Sequence, residues 1–325
     1  MNQMTKIARK TDSARYLITG AAGFIGRSIA SALLERGDAV RGIDNFITGN
    51  RDNLAGLDAM EFFEGDLTDY EFCRRACSGV GIVFHEAAIA SVPRSVSDPI
   101  ASHAHCTTAT VNLLAAAREI GVRRIVFAGS SSVYGDSLVL PKHEDMLPNP
   151  ISPYAAAKLA GEHYLNAFAQ ISSLETVVLR YFNVFGPYQD PTSQYSGVLA
   201  IFCQKMLRGE QPIIYGDGEQ SRDFTFIENV VNANLLAATA PADKVSGKVM
   251  NVATGSRITL NKTFEILCEL TGYQGVPAYE PTRSGDIRDS QADIDQAREL
   301  LGYRPTVDFR EGLRRTVEWY RTATK

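Results

Sequence analysis

Short apolar runs alternate with longer stretches of helical periodicity along the first 180 residues. The apolar runs are bounded by glycine or polar residues and read YLITG, AVRGID, EFFEGD, IVFHEAA, RIVFAGSSS and TVVLRYFN. Between them, segments such as GRSIASALLERG, YEFCRRACSG and ATVNLLAAAREIG repeat apolar residues at helical spacing. Strands that alternate with helices are typical of βαβ units, in which helices cover both faces of a sheet. The pattern therefore predicts an α/β fold with a doubly wound parallel sheet.

The rhythm changes after Arg180. Connections rich in glycine and proline, FGPYQDPTSQYSG, IIYGDGEQSRD and VPAYEPTRSGDIRD, separate shorter helical pieces. Long connections in a compact protein are commonly functional, and these contain aromatic residues and arginines. We predict one domain over residues 1–180 and a second, smaller α/β substrate-binding domain over residues 181–325. Some segments, around DFTFIENVVNANLLAATA, are expected to cross back to the first domain.

A glycine-rich turn follows the first predicted strand. Gly20, Gly23 and Gly26 precede and open the helical segment, where glycine permits a tight turn and lets backbone N–H groups reach a pyrophosphate. The second strand ends in Asp44, whose carboxylate would accept hydrogen bonds from an adenosine ribose and repel a 2′-phosphate. The sequence therefore predicts a Rossmann-like first domain that binds a dinucleotide, with NAD preferred over NADP.

Further cofactor contacts are expected where loops leave the same edge of the sheet. Ala87 and Ala88 are small residues at a strand end, which would let a dinucleotide lie against them. Asp66 either contacts the adenosine end or caps the next helix. The predicted cofactor-binding residues are Gly20, Gly23, Phe24, Ile25, Gly26, Asp44, Asn45, Thr48, Gly49, Asn50, Asp66, Leu67, Ala87, Ala88, Tyr154, Lys158 and Tyr181.

The segment SPYAAAKLA places Tyr154 and Lys158 four residues apart, on one face of a predicted helix. Ser152 is placed to cap that helix, and Pro153 suits its first turn. An amphipathic helix whose lysine stem lies along the surface would give the same pattern. Ser130, in FAGSSSVYG, follows another strand and should project at the edge of the sheet where ligands bind. Along the chain the glycine turn comes first, then the serine and then the tyrosine–lysine pair, and this order is itself informative about function.

Composition excludes several classes of function. The net charge of −4 gives no basic field, so nucleic acid and anionic membrane surfaces are not expected partners. No apolar run is long enough for a membrane span, and the polar first 15 residues do not resemble an export signal. The five scattered cysteines suit a reducing cytoplasm rather than a disulfide framework. We expect a cytoplasmic protein with no metal site.

Together these motifs resemble the extended short-chain dehydrogenases/reductases, and within them the nucleotide-sugar 4-epimerases of the UDP-galactose 4-epimerase type. TGAAGFIG, DNFITGN, SSSVYG, SPYAAAK, RYFNVFGP, GDGEQSRDF and RSGDIRDSQAD match that pattern in order, over nearly the whole chain from Tyr16. The resemblance implies bound NAD, with Ser130, Tyr154 and Lys158 as catalytic residues. Tyr154 would take the proton from the sugar O4 while C4 gives hydride to NAD⁺, and the 4-keto sugar would then turn over. A nearby Lys158 ammonium and the positive nicotinamide would both favour the Tyr154 phenolate.

The resemblance also implies a set of substrate contacts. Arg222 and Arg283 would clamp the diphosphate, although each would otherwise be read as a surface ion pair. Tyr215 would stack on uracil, or else pack as an ordinary strand aromatic. The predicted substrate-binding residues are Ser91, Ser130, Ser131, Asn183, Tyr215, Arg222, Arg283, Asp286 and Ser290.

Two features narrow the expected reaction. Related dehydratases and decarboxylases carry acidic residues beside the catalytic serine, whereas Ser131 and Ser132 stand here, which favours simple epimerisation. Family members restricted to glucose and galactose place a tyrosine where this chain has Ser290, so the resemblance implies room for an N-acetyl group. We therefore expect interconversion of UDP-GlcNAc and UDP-GalNAc, accompanied by UDP-glucose and UDP-galactose. The alternatives are a UDP-uronic acid 4-epimerase and a non-catalytic nucleotide-sensing protein.

Cys106 departs from the family pattern, because an asparagine that helps to hold the cofactor region is expected at its position. A water molecule, His103 or His105 would substitute for it. Helices over about residues 100–119 and 153–170 are paired between subunits in relatives, so the resemblance implies a homodimer. The same two helices could instead only cover the sheet.

Overall fold

The computed structural model describes residues 15–191, 197–282 and 287–323. The strands are β1 (Arg15–Thr19), β2 (Val40–Asp44), β3 (Glu61–Glu64), β4 (Val80–His85), β5 (Arg124–Ser130), β6 (Glu175–Tyr181), β7 (Val184–Phe185), β8 (Ile213–Tyr215), β9 (Ser221–Arg222), β10 (Thr225–Phe226), β11 (Lys248–Val252), β12 (Ile258–Thr259) and β13 (Ala278–Glu280). The helices are α1 (Phe24–Glu35), α2 (Tyr70–Cys77), α3 (Val92–Ser97), α4 (Pro99–His103), α5 (Ala109–Ile120), α6 (Pro153–Ile171), α7 (Val198–Leu207), α8 (Ile227–Thr239), α9 (Ala242–Val245), α10 (Leu260–Thr271), α11 (Asp295–Leu301) and α12 (Phe309–Ala323).

Seven strands form one parallel sheet in the order β11-β6-β5-β4-β1-β2-β3. The strand order reverses between β1 and β4, and in doubly wound sheets ligands bind in the crevice at this reversal. The predicted α/β fold with a doubly wound, Rossmann-like sheet is confirmed. Its ligand crevice is therefore expected between the carboxyl ends of β1 and β4.

The two faces of the sheet bury separate sets of apolar side chains, because successive residues of a strand point to opposite faces. Leu17 and Val83 pack in one cluster, on the face covered by α2 and α5. Ile18 and Phe84 pack in the other, on the face covered by α1 and α8. Each such buried side chain contributes about 1.5–3 kcal/mol to stability, so both helical layers are held firmly against the strands.

The residues beyond Arg180 form short two-stranded pairs, β7–β10, β9–β12 and β8–β13, with α7, α10 and α12 around them. Phe185, Phe226 and Phe309 pack edge to face or tilted at centroid distances of 5.5–5.6 Å and connect these elements. Strand β11 nevertheless belongs to the seven-stranded sheet, where it pairs with β6. The two-domain division over residues 1–180 and 181–325 remains a prediction. No helix in the described part of the chain is long and apolar enough to cross a membrane.

Helix α6 begins where the sequence predicts. Ser152 has extended backbone geometry, and its side-chain oxygen accepts a hydrogen bond from the Ala155 N–H, with Pro153 in the first turn. The helix predicted over about residues 100–119 is less regular than expected. Helices α4 and α5 are joined by one turn of π-helix, Ala104–Thr108, which contains Cys106. Such π segments are frequent at functional sites.

Candidate active site

The turn between β1 and α1 requires glycine for close backbone approach. Gly20 has a φ of +68°, and a side chain there would begin 2.9 Å from the Ala87 backbone nitrogen. A Cβ on Gly26 would lie 2.2 Å from the Gly20 carbonyl oxygen. The turn is therefore packed against the end of β4 on one side and against its own helix on the other. This leaves the α1 N-terminus accessible to a phosphate.

A cavity of about 260 Å³ opens at this turn, which we call the cofactor cavity. Of the predicted cofactor residues, those lining it are Gly20, Gly23, Phe24, Ile25, Gly26, Asp44, Asn45, Thr48, Asp66, Leu67, Ala87 and Ala88. The lining residues that were not predicted are Ile43, Ile47, Gly65, Glu86, Ile89, Ala90, His105 and Ala109. The cavity thus extends across the strand-order reversal, from the β2 edge to β4.

Asp44 is held firmly at the end of β2. Its two carboxylate oxygens accept hydrogen bonds from the backbone N–H groups of Ala22, at 2.9 Å, and Phe46, at 2.8 Å. Burial raises the pKa of Asp44, and these N–H groups oppose that rise. Gly49 does not line the cavity, but a Cβ there would lie 2.8 Å from Asp44 Oδ1. Asn50 instead caps a short 3₁₀ turn, so both residues shape the loop around Asp44.

Asp66 lines the cofactor cavity and does not cap α2. The capping residue is Asp69, which accepts hydrogen bonds from the first N–H groups of that helix. Asp66 accepts hydrogen bonds from the Thr68 N–H and hydroxyl and from the Asn45 amide, each at 2.8 Å. Burial alone would raise the pKa of Asp66, but these hydrogen bonds bring it below its ordinary value. The alternative reading of Asp66 as a helix cap is therefore wrong.

Ser130, Tyr154 and Lys158 meet where β5 ends and α6 begins. The Ser130 hydroxyl oxygen lies 2.8 Å from the Ser132 hydroxyl oxygen, and Ser130 is close enough to the Tyr154 phenol to lower its pKa against the effect of burial. The buried Lys158 ammonium donates to the Ala128 carbonyl at 2.9 Å and lies 6.0 Å from the centre of the Tyr154 ring. The structure thus brings the predicted catalytic residues together.

The electrostatics of the tyrosine differ from the sequence-based expectation. Burial raises the pKa of the Tyr154 phenol, the Cys106 thiol adds to the rise, and Ser130 opposes it. Burial also lowers the pKa of Lys158, against the opposing effects of Cys106 and Glu86. The protein groups alone therefore favour the neutral phenol, because desolvation outweighs the help expected from Lys158.

Cys106 is buried in the π-helical turn behind this trio. Of the two histidines considered as substitutes for the expected asparagine, His105 lines the cofactor cavity, with Nδ1 3.7 Å from Asp66 Oδ2. His103 is exposed and does not line that cavity. Only the position of His105 is compatible with a role beside the cofactor.

A second cavity, of about 490 Å³, lies between β7, α7 and β8, and we call it the substrate cavity. It is lined by the predicted residues Asn183, Tyr215 and Arg222, together with Gln189, Lys205 and Gln220 among others. One nitrogen of the Arg222 guanidinium donates to the carbonyls of Ser221 and Arg288, which holds the guanidinium in place.

Other predicted substrate residues lie near the substrate cavity or outside the described part of the chain. Ser290 is buried, and its hydroxyl oxygen lies 3.5 Å from the side-chain nitrogen of Asn183. Ser91 caps α3, and Ser131 opens a 3₁₀ turn after Ser130. Arg283 and Asp286 fall outside the described residues.

A glycine turn at the strand-order reversal, with a serine at the end of β5 and a tyrosine and a lysine on α6, defines a dinucleotide-dependent enzyme of the Rossmann-like class. The model of the NAD dependent epimerase/dehydratase family matches residues 16–253, and the chain belongs to this family. The resemblance to nucleotide-sugar 4-epimerases of the extended short-chain dehydrogenase/reductase group is confirmed. NAD is the cofactor, and solved structural neighbours contain it.

Three similar proteins illustrate the range of the family. UDP-glucose 4-epimerase of Mycolicibacterium smegmatis is 39% identical over 316 residues, covering 96% of this chain and 100% of its own. UDP-N-acetylglucosamine 4-epimerase of Methanobrevibacter ruminantium, solved with UDP-N-acetylmuramic acid, is 37% identical with a TM-score of 0.91, covering 96% and 99%. UDP-glucuronate 4-epimerase of Thermodesulfobacterium geofontis is 33% identical, covering 94% and 95%.

Proposed function

We propose that this protein is an NAD-dependent 4-epimerase that interconverts UDP-GlcNAc and UDP-GalNAc, and also UDP-glucose and UDP-galactose. The observation that carries the proposal is the proximity of Ser130 to the Tyr154 phenol, whose pKa it lowers, beside the buried Lys158. A hydroxyl and a phenol at such proximity can hold one sugar oxygen between them and move its proton. The similarity to 4-epimerases of UDP-sugars supports the same chemistry.

Tyr154 acts as the general base and then as the general acid at the sugar O4. Ser130 hydrogen-bonds the same oxygen and so orients the hydroxyl toward the phenol. When bound, NAD⁺ supplies a hydride acceptor at C4 and a positive charge that favours the Tyr154 phenolate. That charge matters because burial keeps the pKa of Tyr154 above its ordinary value. Lys158 adds to the positive field from a position fixed by the Ala128 carbonyl.

The substrate cavity holds the nucleotide part of the substrate in this proposal. Arg222 supplies a guanidinium suited to diphosphate oxygens, and Tyr215 supplies a ring that can stack on uracil. Asn183 lies between this cavity and Ser290, at the sugar end. Anchoring through the nucleotide leaves the 4-keto sugar free to turn and to present its other face. Arg283 and Asp286 remain predicted partners of the diphosphate and ribose.

The preference for N-acetylated sugars is proposed from Ser290. This residue is buried beside Asn183, and its short side chain fills little of the space there. A larger side chain would be crowded against Asn183, which lines the substrate cavity. We therefore propose that the serine leaves room for the acetamido group at C2 and that the smaller UDP-glucose is also accepted.

A UDP-uronic acid 4-epimerase is the second candidate. The similarity to the Thermodesulfobacterium geofontis enzyme favours it. A uronic acid would need a cation near its C6 carboxylate, whereas Lys205 lies in the cavity assigned here to the nucleotide. The non-catalytic nucleotide sensor remains a weaker alternative, because it has no need of the Ser130–Tyr154 contact.

We also propose that the protein forms a homodimer through α4, α5 and α6. Exposed apolar side chains on and around these helices support this, with Ile100 82% exposed and Ile171 69% exposed. The cytoplasmic location remains a prediction.

Proton NMR of the purified protein with UDP-GlcNAc and no added NAD tests the proposed function. UDP-glucose and UDP-glucuronate are placed in parallel tubes. Appearance of the anomeric signal of UDP-GalNAc is the expected result, and it would also show that the cofactor is retained. Turnover of UDP-glucose alone would contradict the proposed role of Ser290. Turnover of UDP-glucuronate alone would establish the second candidate, and no turnover with NAD⁺ added would favour the sensor.

A further inference from the structure

Asp223 is a fully buried carboxylate that has no role in the mechanism proposed above. Its chain neighbours Arg222 and Phe224 both line the substrate cavity, whereas Asp223 does not. Its side chain is instead enclosed by the protein, with 0% exposure. Burying a charge is costly unless hydrogen bonds compensate for the lost water. The hydrogen bonds of this carboxylate therefore show what it holds in place.

Four donors surround the Asp223 carboxylate. Its Oδ1 accepts hydrogen bonds from the Thr254 N–H, at 3.0 Å, and from the Thr254 hydroxyl, at 2.6 Å. Its Oδ2 accepts hydrogen bonds from the N–H groups of Gly255, at 3.0 Å, and Ala292, at 3.2 Å. An ionised carboxylate offers only acceptors, so it suits a site that presents only donors. Asp223 thus connects the chain between β9 and β10 to the loop after β11 and to the segment that contains Ser290.

Residues 288–292 run beside Arg222, and this segment positions the arginine. The Arg222 guanidinium donates a hydrogen bond to the Arg288 carbonyl at 3.0 Å, at the first residue of the segment. The Asp223 carboxylate holds the last residue of the same segment, two positions beyond Ser290. The placement of the guanidinium and the placement of Ser290 therefore depend on one buried carboxylate.

The backbone around Asp223 also holds Asn183, which lines the substrate cavity. The Asn183 side-chain nitrogen donates to the Asp223 carbonyl at 3.1 Å, and the Thr225 N–H donates to the Asn183 carbonyl at 3.2 Å. Asn183 has a φ of +36°, which residues other than glycine adopt infrequently. Such a conformation persists only where the surrounding contacts impose it. The chain around Asp223 supplies two of those contacts.

We propose that Asp223 is a positioning residue for the UDP-sugar. It sets the distance between the Arg222 guanidinium, which is proposed to bind the diphosphate, and Asn183 and Ser290 at the sugar end. Asp223 touches no substrate atom and acts only through these three residues. The inference rests on the proposed function in one respect, namely that the substrate cavity holds a uridine diphosphate. It does not depend on which sugar the diphosphate carries.

The test is the dissociation constant of UDP, measured by calorimetric titration of the protein with its NAD bound. Asp223→Asn keeps the shape of the side chain but turns one acceptor oxygen into an N–H donor, which then faces other donors. The Kd of UDP should rise by about 10–100-fold, as is typical when the outer partners of ligand-binding groups are removed. The KM for UDP-sugars should rise by a larger factor than kcat falls, because Ser130, Tyr154 and Lys158 lie outside this network.

Asn229→Asp is the matched control, because Asn229 is also fully buried and also holds distant backbone groups. Its side chain bonds the N–H groups of Thr306 and Val307 and the Val307 carbonyl. The described residues that line the substrate cavity include none of these three. Asn229→Asp should lower the melting temperature, as Asp223→Asn does, and leave the Kd of UDP within about twofold. Equal weakening of UDP binding in both variants would overturn the proposal, and so would wild-type UDP affinity in Asp223→Asn.

A milder pair of variants replaces these two if either does not fold. Thr254→Val and Thr306→Val each remove a hydroxyl that donates to Asp223 or to Asn229, respectively. Thr254→Val should raise the Kd of UDP by about threefold or more and Thr306→Val should not, and the absence of this difference would overturn the proposal. A wild-type protein that does not bind UDP would overturn the proposed function together with this inference. Wild-type binding that Asp223→Asn leaves unchanged would overturn this inference alone.

Discussion

The buried ion pair between Glu162 and Arg180 should dominate the attachment of the catalytic helix to the sheet. The carboxylate on α6 accepts three contacts from the guanidinium on β6, at 2.7, 3.1 and 3.2 Å, and both side chains are only 4% exposed. Glu162→Gln keeps the shape but leaves a buried guanidinium without its counter-charge. Breaking such a pair costs about 3–5 kcal/mol, so the free energy of unfolding should fall by that amount.

Urea unfolding at a fixed excess of NAD measures this loss, because cofactor binding itself shifts apparent stability. Glu265→Gln is the control, since its pair with Lys262 has a similarly short contact, 2.8 Å, but both side chains are 59% exposed. It should change the free energy of unfolding far less than Glu162→Gln does, because solvent screens an exposed pair. The double variant Glu162→Leu with Arg180→Met should be more stable than Glu162→Gln, because no buried charge is left unpaired. A Glu162→Gln protein no less stable than the Glu265→Gln control would refute the reasoning.

Three further outcomes follow from the site. Gly26→Ala should abolish retention of NAD through gel filtration, because the new Cβ would begin 2.2 Å from the Gly20 carbonyl oxygen; Ser31→Ala, on the same helix, should retain it. Tyr154→Phe should lower kcat on UDP-sugars by about 10²–10⁴-fold while bound NAD is unchanged, and a loss of NAD instead would indicate a structural role. Ser290→Tyr should lower kcat/KM for UDP-GlcNAc by about 10–200-fold and leave UDP-glucose within about threefold, whereas equal losses for both sugars would contradict a gate at this residue.

The sequence predicts the sheet and the glycine turn because both depend on local patterns. The period-2 and period-3.6 spacing of apolar residues identifies the strands and helices, and the Ser152 cap is confirmed where Ser-Pro precedes the alanine-rich helix. Gly20 and Gly26 are recognisable because neighbouring backbone atoms lie so close to both positions that no side chain fits there. Such signals lie within a few residues of one another.

What the sequence does not predict depends on contacts between distant segments. Glu86 follows a strand like many other polar residues, and only Tyr181 and Asn234, from far along the chain, show that it is fixed. The π-helical turn around Cys106 has no sequence period of its own, because it is a single irregular turn within a pattern that is otherwise helical. The pKa of Tyr154 was expected to fall beside Lys158, but the depth of burial decides its direction. How deeply a side chain is buried depends on the packing of the helical layers against the sheet, which the local sequence does not show.

The position of β11 at the edge of the main sheet constrains how the chain can fold during synthesis. Strand β6 pairs with β5 on one side and with β11 on the other, and β11 follows it only after 66 intervening residues. Until Lys248–Val252 has left the ribosome, one edge of β6 keeps its backbone N–H and C=O groups unpaired and open to other chains. The nucleotide-binding sheet is therefore completed late. A nascent chain that stalls before residue 248 exposes an unpaired, aggregation-prone strand edge that chaperones would have to cover.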